Sequence, residues 1–359
     1  MACIAASRAD IGMMKFASLC LLFLAACDSA PTTASPQPSV AVRTTGVDAA
    51  ALRAAVDAAG RLPRLRSLLV LRDGETMAAH VFHDGPPLDR PVNIKSASKS
   101  VMSALIGIAI ERGVFTGVDQ TVLPLLRSDA PRDPDPRLAR VTVGDLLSMQ
   151  AGLERTSGEN YGRWVSSGNW VRYALSRPFV ADPGTDMLYS TGSTHLLSAA
   201  LTRATGRSTL VNARAWLGEP LGITIPAWPA DPQGIYFGGN EMRLSPRALA
   251  RFGELYRRGG EIDGRRIVSA KWIEQSWTPR TVSPWSGQAY GYGWFLTDMR
   301  GHAVRFAWGY GGQMVYVIPD LQLTIVMTSD PNGFRDTGHI DALHRLVADH
   351  LVPAAERGA

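Results

Sequence analysis

One stretch of the chain constrains the whole fold, because it predicts a helix with almost no polar face. It runs from Ile94 to Gly113 and reads IKSASKSVMSALIGIAIERG. Its first residues are polar, those from Val101 onward are almost all apolar, and Gly113 is typical of a helix end. A helix that is apolar all round must be covered on every side, so we expect it at the centre of the molecule.

A serine and a lysine stand at the start of this helix. Ser96 and Lys99 are three positions apart, which places both side chains on one helix face. Burial disfavours a charged amine, and keeping an ordinary lysine neutral at pH 7 takes about 4.6 kcal/mol, which burial can supply. The pair therefore predicts a nucleophile, Ser96, beside a base, Lys99. The alternative is a helix-capping serine and a lysine that extends into solvent.

The composition is that of an ordinary globular chain. Of its 359 residues, 45% are hydrophobic and 19% are charged, which allows a large core or two domains. The formal net charge is +5, but the arginines are scattered along the sequence rather than gathered in runs. Scattered positive charge does not favour nucleic-acid binding, so we expect no nucleic-acid partner.

The N-terminal sequence is typical of an export signal. Lys15 precedes an apolar run that ends in Leu24-Ala25-Ala26-Cys27, a pattern similar to the lipobox of bacterial lipoproteins. We expect residues 1–26 to be a lipoprotein-type signal peptide, Cys27 to be the lipidation site and residues 27–46 to be a flexible tether. This predicts a protein of the bacterial cell envelope, facing the periplasm or the exterior and bound to a membrane only through its lipid anchor. A plain secretory leader is the alternative.

The remaining pattern predicts one sheet built from both ends of the chain. A helix and a two-stranded hairpin come first, and short strands rich in aromatic and β-branched residues return late in the sequence. Helical patterns dominate between them. We expect an α+β fold, with an antiparallel sheet domain from residues 47–95 plus 246–355 and a mainly helical domain from residues 96–245 inserted into it.

Three ordered motifs resemble those of the serine β-lactamase and penicillin-binding superfamily. Ser96 and Lys99 match its S-x-x-K box, and Tyr189-Ser190-Thr191 stands where class C enzymes have Y-x-N. The third box, usually K-T-G or H-x-G, corresponds to Ala307-Trp308-Gly309. The glycine-rich sequence after it is similar to that of 6-aminohexanoate-dimer hydrolases and related esterases. The resemblance implies the β-lactamase-like fold, an antiparallel sheet flanked by helices.

The resemblance also implies a chemistry. Ser96 would form an acyl-enzyme, with Lys99 and Tyr189 moving the proton. The sequence leaves open which of these two is the formal base. The implied partners are small-molecule carboxylic esters or short amides, and no cofactor or metal is implied. The alternatives are a β-lactamase or D-alanyl-D-alanine carboxypeptidase, and a penicillin-binding sensor lipoprotein that is acylated without turnover.

Two departures from the motifs weaken the expectation of β-lactam hydrolysis. Thr191 offers one hydroxyl in place of an asparagine amide, and Trp308 stands where the family often has a cation. Ester or short amide hydrolysis is therefore favoured. By their positions in the motifs, Thr191, Trp308 and Gly309 are expected to contact the substrate.

Further residues are expected around the reacting carbonyl. The resemblance implies an oxyanion site between the backbone N–H groups of Ser96 and Gln313, with Gly312 as the alternative to Gln313. Trp164 and Trp170 lie in a loop-rich part of the predicted insert, where they could form the wall of an apolar substrate pocket. Packing in the core or on the surface is the alternative for both.

For the remaining polar residues, roles in catalysis or in substrate binding are not favoured. His195 lies on an apolar helical pattern, so we expect it in the core rather than in a catalytic triad. The other histidines lack the spacing of a metal site, so no catalytic metal is expected. Asn169 and Asn240 could donate hydrogen bonds to a substrate, although structural roles are favoured. The sequence leaves the oligomeric state open.

Overall fold

The computed structural model describes residues 46–332 and 338–358. The predicted signal peptide, the predicted lipidation site Cys27 and all but the last residue of the predicted tether lie outside the described residues. Among the helices that are described, none is long and apolar enough to cross a membrane.

The described residues form twelve β-strands, most of them late in the chain. They are β1 (Leu65–Arg72), β2 (Glu75–Val81), β3 (Val92–Asn93), β4 (Arg243–Leu244), β5 (Glu261–Ile262), β6 (Arg265–Arg266), β7 (Thr281–Val282), β8 (Ala289–Tyr290), β9 (Phe295–Met299), β10 (His302–Gly309), β11 (Gln313–Ile318) and β12 (Leu323–Ser329). Eight of them build one sheet in the order β2-β1-β12-β11-β10-β9-β8-β7.

The N-terminal hairpin completes this sheet beside the last strand. β1 pairs antiparallel with β12, with Val70 opposite Ile325, and also with β2. Each neighbouring pair of strands from β12 across the sheet to β7 is antiparallel as well. The large antiparallel sheet with its helices confirms the predicted α+β class.

Thirteen α-helices are described. They are α1 (Ala49–Gly60), α2 (Ser98–Glu111), α3 (Leu123–Leu126), α4 (Val143–Leu147), α5 (Tyr161–Val165), α6 (Trp170–Leu175), α7 (Thr191–Thr205), α8 (Thr209–Ala213), α9 (Glu219–Leu221), α10 (Pro246–Arg257), α11 (Ala270–Ser276), α12 (His339–Arg345) and α13 (Val352–Arg357). Shorter 3₁₀ and π segments connect several of them.

Helices cover both faces of the sheet. Successive side chains of a strand point to opposite faces, so one strand contributes to two different cores. On β11, Val315 and Val317 belong to the core that includes residues of α10, and α10 packs on β11 and β12. Met314 and Tyr316 belong to the other core, which includes residues of α1, α12 and α13. Apolar side chains on both faces of β11 explain why its sequence, QMVYVI, shows no polar alternation.

The central position predicted for α2 is confirmed. Every residue from Ser98 to Ala109 is buried, including three serines and a lysine. The helix packs against α7, β10 and α11. It therefore carries its N-terminal residues into the middle of the molecule, where their polar groups need protein partners.

Two short strands mark the beginning and end of the helical middle of the chain. β3 and β4 pair antiparallel, with Asn93 opposite Arg243, and helices α2 to α9 lie between them in sequence. This pairing places the residues just before β4 beside those that lead into α2. The division into two domains stays a prediction.

Candidate active site

Ser96 lies in a tight turn immediately before α2. The turn is a 3₁₀ helix, Lys95–Ala97, and α2 begins at Ser98 without a side-chain cap. Lys95 has φ of 51°, a left-handed conformation that a residue with a side chain rarely adopts. The Asn93 side chain accepts a hydrogen bond from the Lys95 N–H at 2.9 Å. Ser96 therefore lies in a turn that a side-chain hydrogen bond stabilises, and it does not act as a helix cap.

Glu241 connects this turn to a distant loop. Its carboxylate accepts from Lys95 Nζ at 3.1 Å and from Asn93 Nδ2 at 2.6 Å. Glu241 has a left-handed conformation too, with φ of 61°, and it stands 146 positions after Lys95. The turn that carries Ser96 is thus fixed by a residue two positions after Gly239.

Lys99 is buried beside Ser96, and its amine has three protein acceptors. Only 1% of the residue is exposed, and Nζ lies 3.1 Å from Ser96 Oγ. It also lies 2.7 Å from the Gly239 carbonyl and 3.3 Å from Thr191 Oγ1. Burial lowers the pKa of this lysine to about 7. The alternative of a lysine that extends into solvent is thereby excluded.

The close approach of Gly239 requires a glycine. A Cβ there would lie 2.0 Å from Thr194 Oγ1 and 3.1 Å from Lys99 Cγ. Any side chain would push this loop away from α7 and move the carbonyl that accepts from Lys99.

Tyr189 reaches the same place from the segment before α7. Lys99 Nζ lies 5.0 Å from the centre of its ring. Burial raises the pKa of the Tyr189 hydroxyl to about 12, and a hydrogen bond with the Ser96 side chain opposes that rise. The structure therefore brings the three residues predicted as catalytic, Ser96, Lys99 and Tyr189, into one site.

Thr191 contacts the lysine through its side chain. It is the first residue of α7, and its hydroxyl lies between Lys99 Nζ and Ser157 Oγ, at 3.3 and 3.0 Å. Ser157 Oγ also accepts from the Thr191 N–H at 2.9 Å. Ser157 was not found from the sequence, because it lies in a loop without a motif. Together the two hydroxyls extend the polar network around the amine.

The turn after β10 forms part of the site. At Gly309 a Cβ would lie 2.2 Å from the Ile94 carbonyl, so this glycine allows the strand to approach the Ser96 turn. Gly312 was the alternative oxyanion donor, but its N–H donates to the Gly309 carbonyl at 3.1 Å, so that alternative is wrong. Gln313 is almost fully buried, and its side-chain amide donates to the Ser329 carbonyl at 2.6 Å. Tyr310, the first residue of the turn, was not singled out from the sequence.

A cavity of about 830 Å³ opens beside Ser96. Aromatic side chains make up much of its lining: Tyr189, Trp285, Phe295, Trp308 and Tyr310. Arg64, His339 and Asp341 contribute polar groups to the same cavity. The predicted substrate contact Trp308 is therefore at the site, whereas Gln313 and Gly312 are not among the residues that line the cavity.

Both histidines of this cavity are neutral at physiological pH. Burial, together with the charges of Arg64 and Arg66, lowers the pKa of His339 to about 4. Burial lowers the pKa of His344 to about 4 as well. His339 Nε2 lies 2.9 Å from Ser329 Oγ, and His344 Nδ1 lies 3.1 Å from the Tyr316 hydroxyl. Within residues 46–332 and 338–358, no group of His, Cys, Asp or Glu side chains is arranged to hold a metal ion.

Trp164 and Trp170 do not form a wall of this cavity, so that prediction is wrong. They are 0% and 8% exposed, and their rings lie 5.4 Å apart. Each indole N–H is satisfied inside this cluster, by the carbonyls of Trp170 and Val165 at 3.0 Å. Both rings pack against Phe237, so they serve the core of the helical region.

His195 is confirmed as a core residue. Its ring packs against Trp164 and Trp170, and Nε2 lies 3.1 Å from Asp231 Oδ2, with both side chains fully buried. The two asparagines weighed as substrate donors have protein partners: Asn169 caps α6, and Asn240 Nδ2 donates to the Tyr161 hydroxyl at 2.8 Å.

Solved structures show the same fold at low sequence identity. A protein designated 6-aminohexanoate-dimer hydrolase from Bacillus anthracis has a TM-score of 0.70 at 18% identity, over 90% of this chain and 88% of that chain. A penicillin-binding protein homologue from Caulobacter crescentus has a TM-score of 0.68 at 17% identity, over 90% of this chain and 100% of that chain. EstCE1, a hydrolase with promiscuous acyltransferase activity, has a TM-score of 0.67 at 17% identity, over 85% and 97%.

Sequence comparison identifies the family. A search of curated proteins finds no significant match. The model of the Beta-lactamase family, in contrast, matches residues 59–349, which include all three motifs. These residues form the greater part of the sequence and hold Ser96, Lys99 and Tyr189. The chain therefore belongs to the beta-lactamase family.

Proposed function

We propose that this protein is a serine hydrolase that cleaves carboxylic esters or short amides through an acyl-enzyme. The observation that supports this most directly is the 3.1 Å contact between Ser96 Oγ and the buried amine of Lys99. A neutral amine at that distance can accept the serine proton as Oγ attacks a carbonyl carbon. Family membership supports hydrolysis in general, and the geometry supports this mechanism.

The two pKa shifts suggest how Lys99 and Tyr189 divide the proton transfers. A pKa of about 7 leaves a substantial fraction of Lys99 as the free amine near neutral pH. A pKa of about 12 keeps Tyr189 protonated. Lys99 is therefore the better base and Tyr189 the better proton donor.

Acylation forms the bond between Oγ and the carbonyl carbon and breaks the bond from that carbon to the leaving oxygen or nitrogen. The Ser96 proton passes to Lys99, Tyr189 protonates the leaving group, and the Lys99 ammonium restores the Tyr189 proton. Water then attacks the acyl carbon while Lys99 takes its proton. The bond between Oγ and that carbon breaks and releases the acid, and the Lys99 ammonium returns the proton to Oγ.

A second oxyanion donor is needed besides the Ser96 N–H. Gln313 stays a prediction. The backbone N–H of Tyr310 is the better candidate. Tyr310 lines the cavity with Ser96 and directly follows Gly309, which closely approaches the Ser96 turn.

The cavity favours esters and short amides over β-lactams. Its aromatic lining suits an apolar substrate, and the third motif has Trp308 in place of a cation. Thr191 is occupied by contacts with Lys99 and Ser157 rather than free to bind a substrate amide. The alternatives remain a β-lactamase or D-alanyl-D-alanine carboxypeptidase, and a sensor that is acylated without turnover.

Hydrolysis of p-nitrophenyl acetate distinguishes these possibilities. We expect a burst of nitrophenol close to one equivalent per protein, followed by steady turnover. A burst without turnover would indicate a sensor, and no reaction with this ester or with short amides would contradict the proposal. Steady turnover of a chromogenic cephalosporin at a higher kcat/KM than the ester would favour the β-lactamase alternative.

The pH dependence tests the role of Lys99. Only the neutral amine can accept a proton, and the pKa of Lys99 is about 7. Below about pH 7, kcat/KM for an ester should therefore rise nearly tenfold per pH unit, and it should level off at higher pH. A rate that is constant or falls with pH across this range, after subtraction of the uncatalysed reaction, would exclude Lys99 as the base.

A further inference from the structure

Exposed aromatic side chains are concentrated at the catalytic cavity. In the described part of the chain, the large hydrophobic side chains that are exposed are Val81, Val180, Val211, Val282, Trp285 and Tyr310. The two aromatic members, Trp285 at 49% and Tyr310 at 47% exposure, both line the cavity beside Ser96. A tryptophan left half in water retains a large apolar area that a ligand can cover.

Trp285 is held by an ordered loop between β7 and β8. The Ser283 N–H donates to the Gln288 carbonyl at 2.8 Å, and the Gly287 N–H donates to the Ser283 carbonyl at 2.9 Å. Ser286 Oγ donates to Ser283 Oγ at 2.8 Å, and Ser283 is 1% exposed. Binding against this indole therefore requires little further ordering of the protein.

The indole lies next to the residue that delivers a proton to the leaving group. The rings of Trp285 and Tyr189 are 5.3 Å apart and nearly perpendicular, at 80°. In the proposed mechanism the leaving group must approach the Tyr189 hydroxyl at the moment of bond cleavage. A substituent on that leaving group then extends past the Tyr189 ring, toward the exposed face of Trp285.

We infer that Trp285 forms a leaving-group subsite that favours esters and amides of aryl or benzylic alcohols and amines. This inference rests on the proposed acyl-enzyme mechanism. The substrate contributes a flat apolar group, which packs on the indole and takes part of its surface out of water. The acyl part of the substrate does not contact Trp285.

The mechanism separates this role from a purely structural one. The leaving group departs when the acyl-enzyme forms, so Trp285 should affect acylation and leave the hydrolysis of a shared acyl-enzyme unchanged. If Trp285 only positioned Tyr189, its loss would also slow acylation, but by the same factor for every leaving group.

Benzyl acetate and ethyl acetate provide the test, because they share the acyl group and their alcohols have similar acidity. We expect the wild-type protein to have the higher kcat/KM for benzyl acetate. Trp285→Ala should reduce this preference about tenfold, mainly by lowering kcat/KM for benzyl acetate, whereas Trp285→Phe should keep most of it. The steady-state rate after the p-nitrophenyl acetate burst, where deacylation limits turnover, should not change.

Val282→Ala is the matched control. Val282 is 59% exposed on the neighbouring strand β7 and does not line the cavity, so both esters should be cleaved as by the wild type. Turnover of both esters without a benzyl preference, or an equal loss for both in Trp285→Ala, would overturn the subsite and leave the mechanism intact. Absence of any burst with the wild type would instead mean that the proposed function has failed.

Discussion

Replacing Ser96 by alanine is expected to abolish both ester hydrolysis and covalent labelling by a fluorophosphonate. The hydroxyl that forms the acyl-enzyme is then missing, and Lys99 has no proton to accept. The loss in kcat should be at least about a thousandfold, as for other nucleophilic serines. Turnover of p-nitrophenyl acetate and mass spectrometry of the probe-treated protein measure the two effects.

Ser98→Ala is the matched control for this variant. Ser98 stands two positions away, is fully buried and donates to the Lys95 carbonyl at 2.7 Å, so its hydroxyl cannot reach a substrate. This control should still be labelled at one site per chain. Labelling of Ser96→Ala to the wild-type extent would show that another residue is the nucleophile.

Lys99→Met should lower kcat/KM by about 10²- to 10⁴-fold, the range typical for the loss of a general base. Methionine fits a buried position of similar length but cannot accept a proton. Burst kinetics with p-nitrophenyl acetate will show slow acylation together with slow turnover. Wild-type acylation in this variant would assign the role of base to Tyr189 alone.

The same substitution should stabilise the fold. A lysine with a pKa of 10.5 in the unfolded chain and about 7 in the folded one destabilises the folded state by about 5 kcal/mol when both are protonated. This penalty is fully present below about pH 7, shrinks as the pH rises and vanishes near pH 10.5. The hydrogen bonds lost at Ser96 and Gly239 offset part of the gain.

Denaturant unfolding at several pH values checks this expectation. Lys99→Met should exceed the wild type in free energy of unfolding most clearly at or below neutral pH, and the difference should narrow toward pH 10. A variant that is less stable than the wild type at neutral pH would show that burial of the Lys99 amine does not destabilise the folded protein.

Much of the fold and the centre of the site could be predicted from the sequence. The apolar run after Lys99 indicates a helix surrounded by other elements, because a helix without a polar face has no other stable position. The spacing of Ser96 and Lys99 places them together through local geometry alone. Tyr189 could be added only through the family resemblance, since nothing local in the sequence connects it to Ser96.

Contacts made by loops could not be predicted. The Gly239 carbonyl and the Glu241 carboxylate reach the site because β3 pairs with β4, and the sequence does not specify that pairing. Trp164 and Trp170 were misassigned for a related reason. Their neighbours suggested a loop, but each indole finds its hydrogen-bond acceptor within the cluster, so both rings can be buried.

The contact between Glu241 and Lys95 joins the turn that carries Ser96 to a loop far away in the sequence. The turn that carries Ser96 therefore depends on a residue 146 positions further along the chain. Because both side chains of this ion pair are partly exposed, salt screens it, so the position of Ser96 is more sensitive to ionic strength than the buried contacts of Lys99.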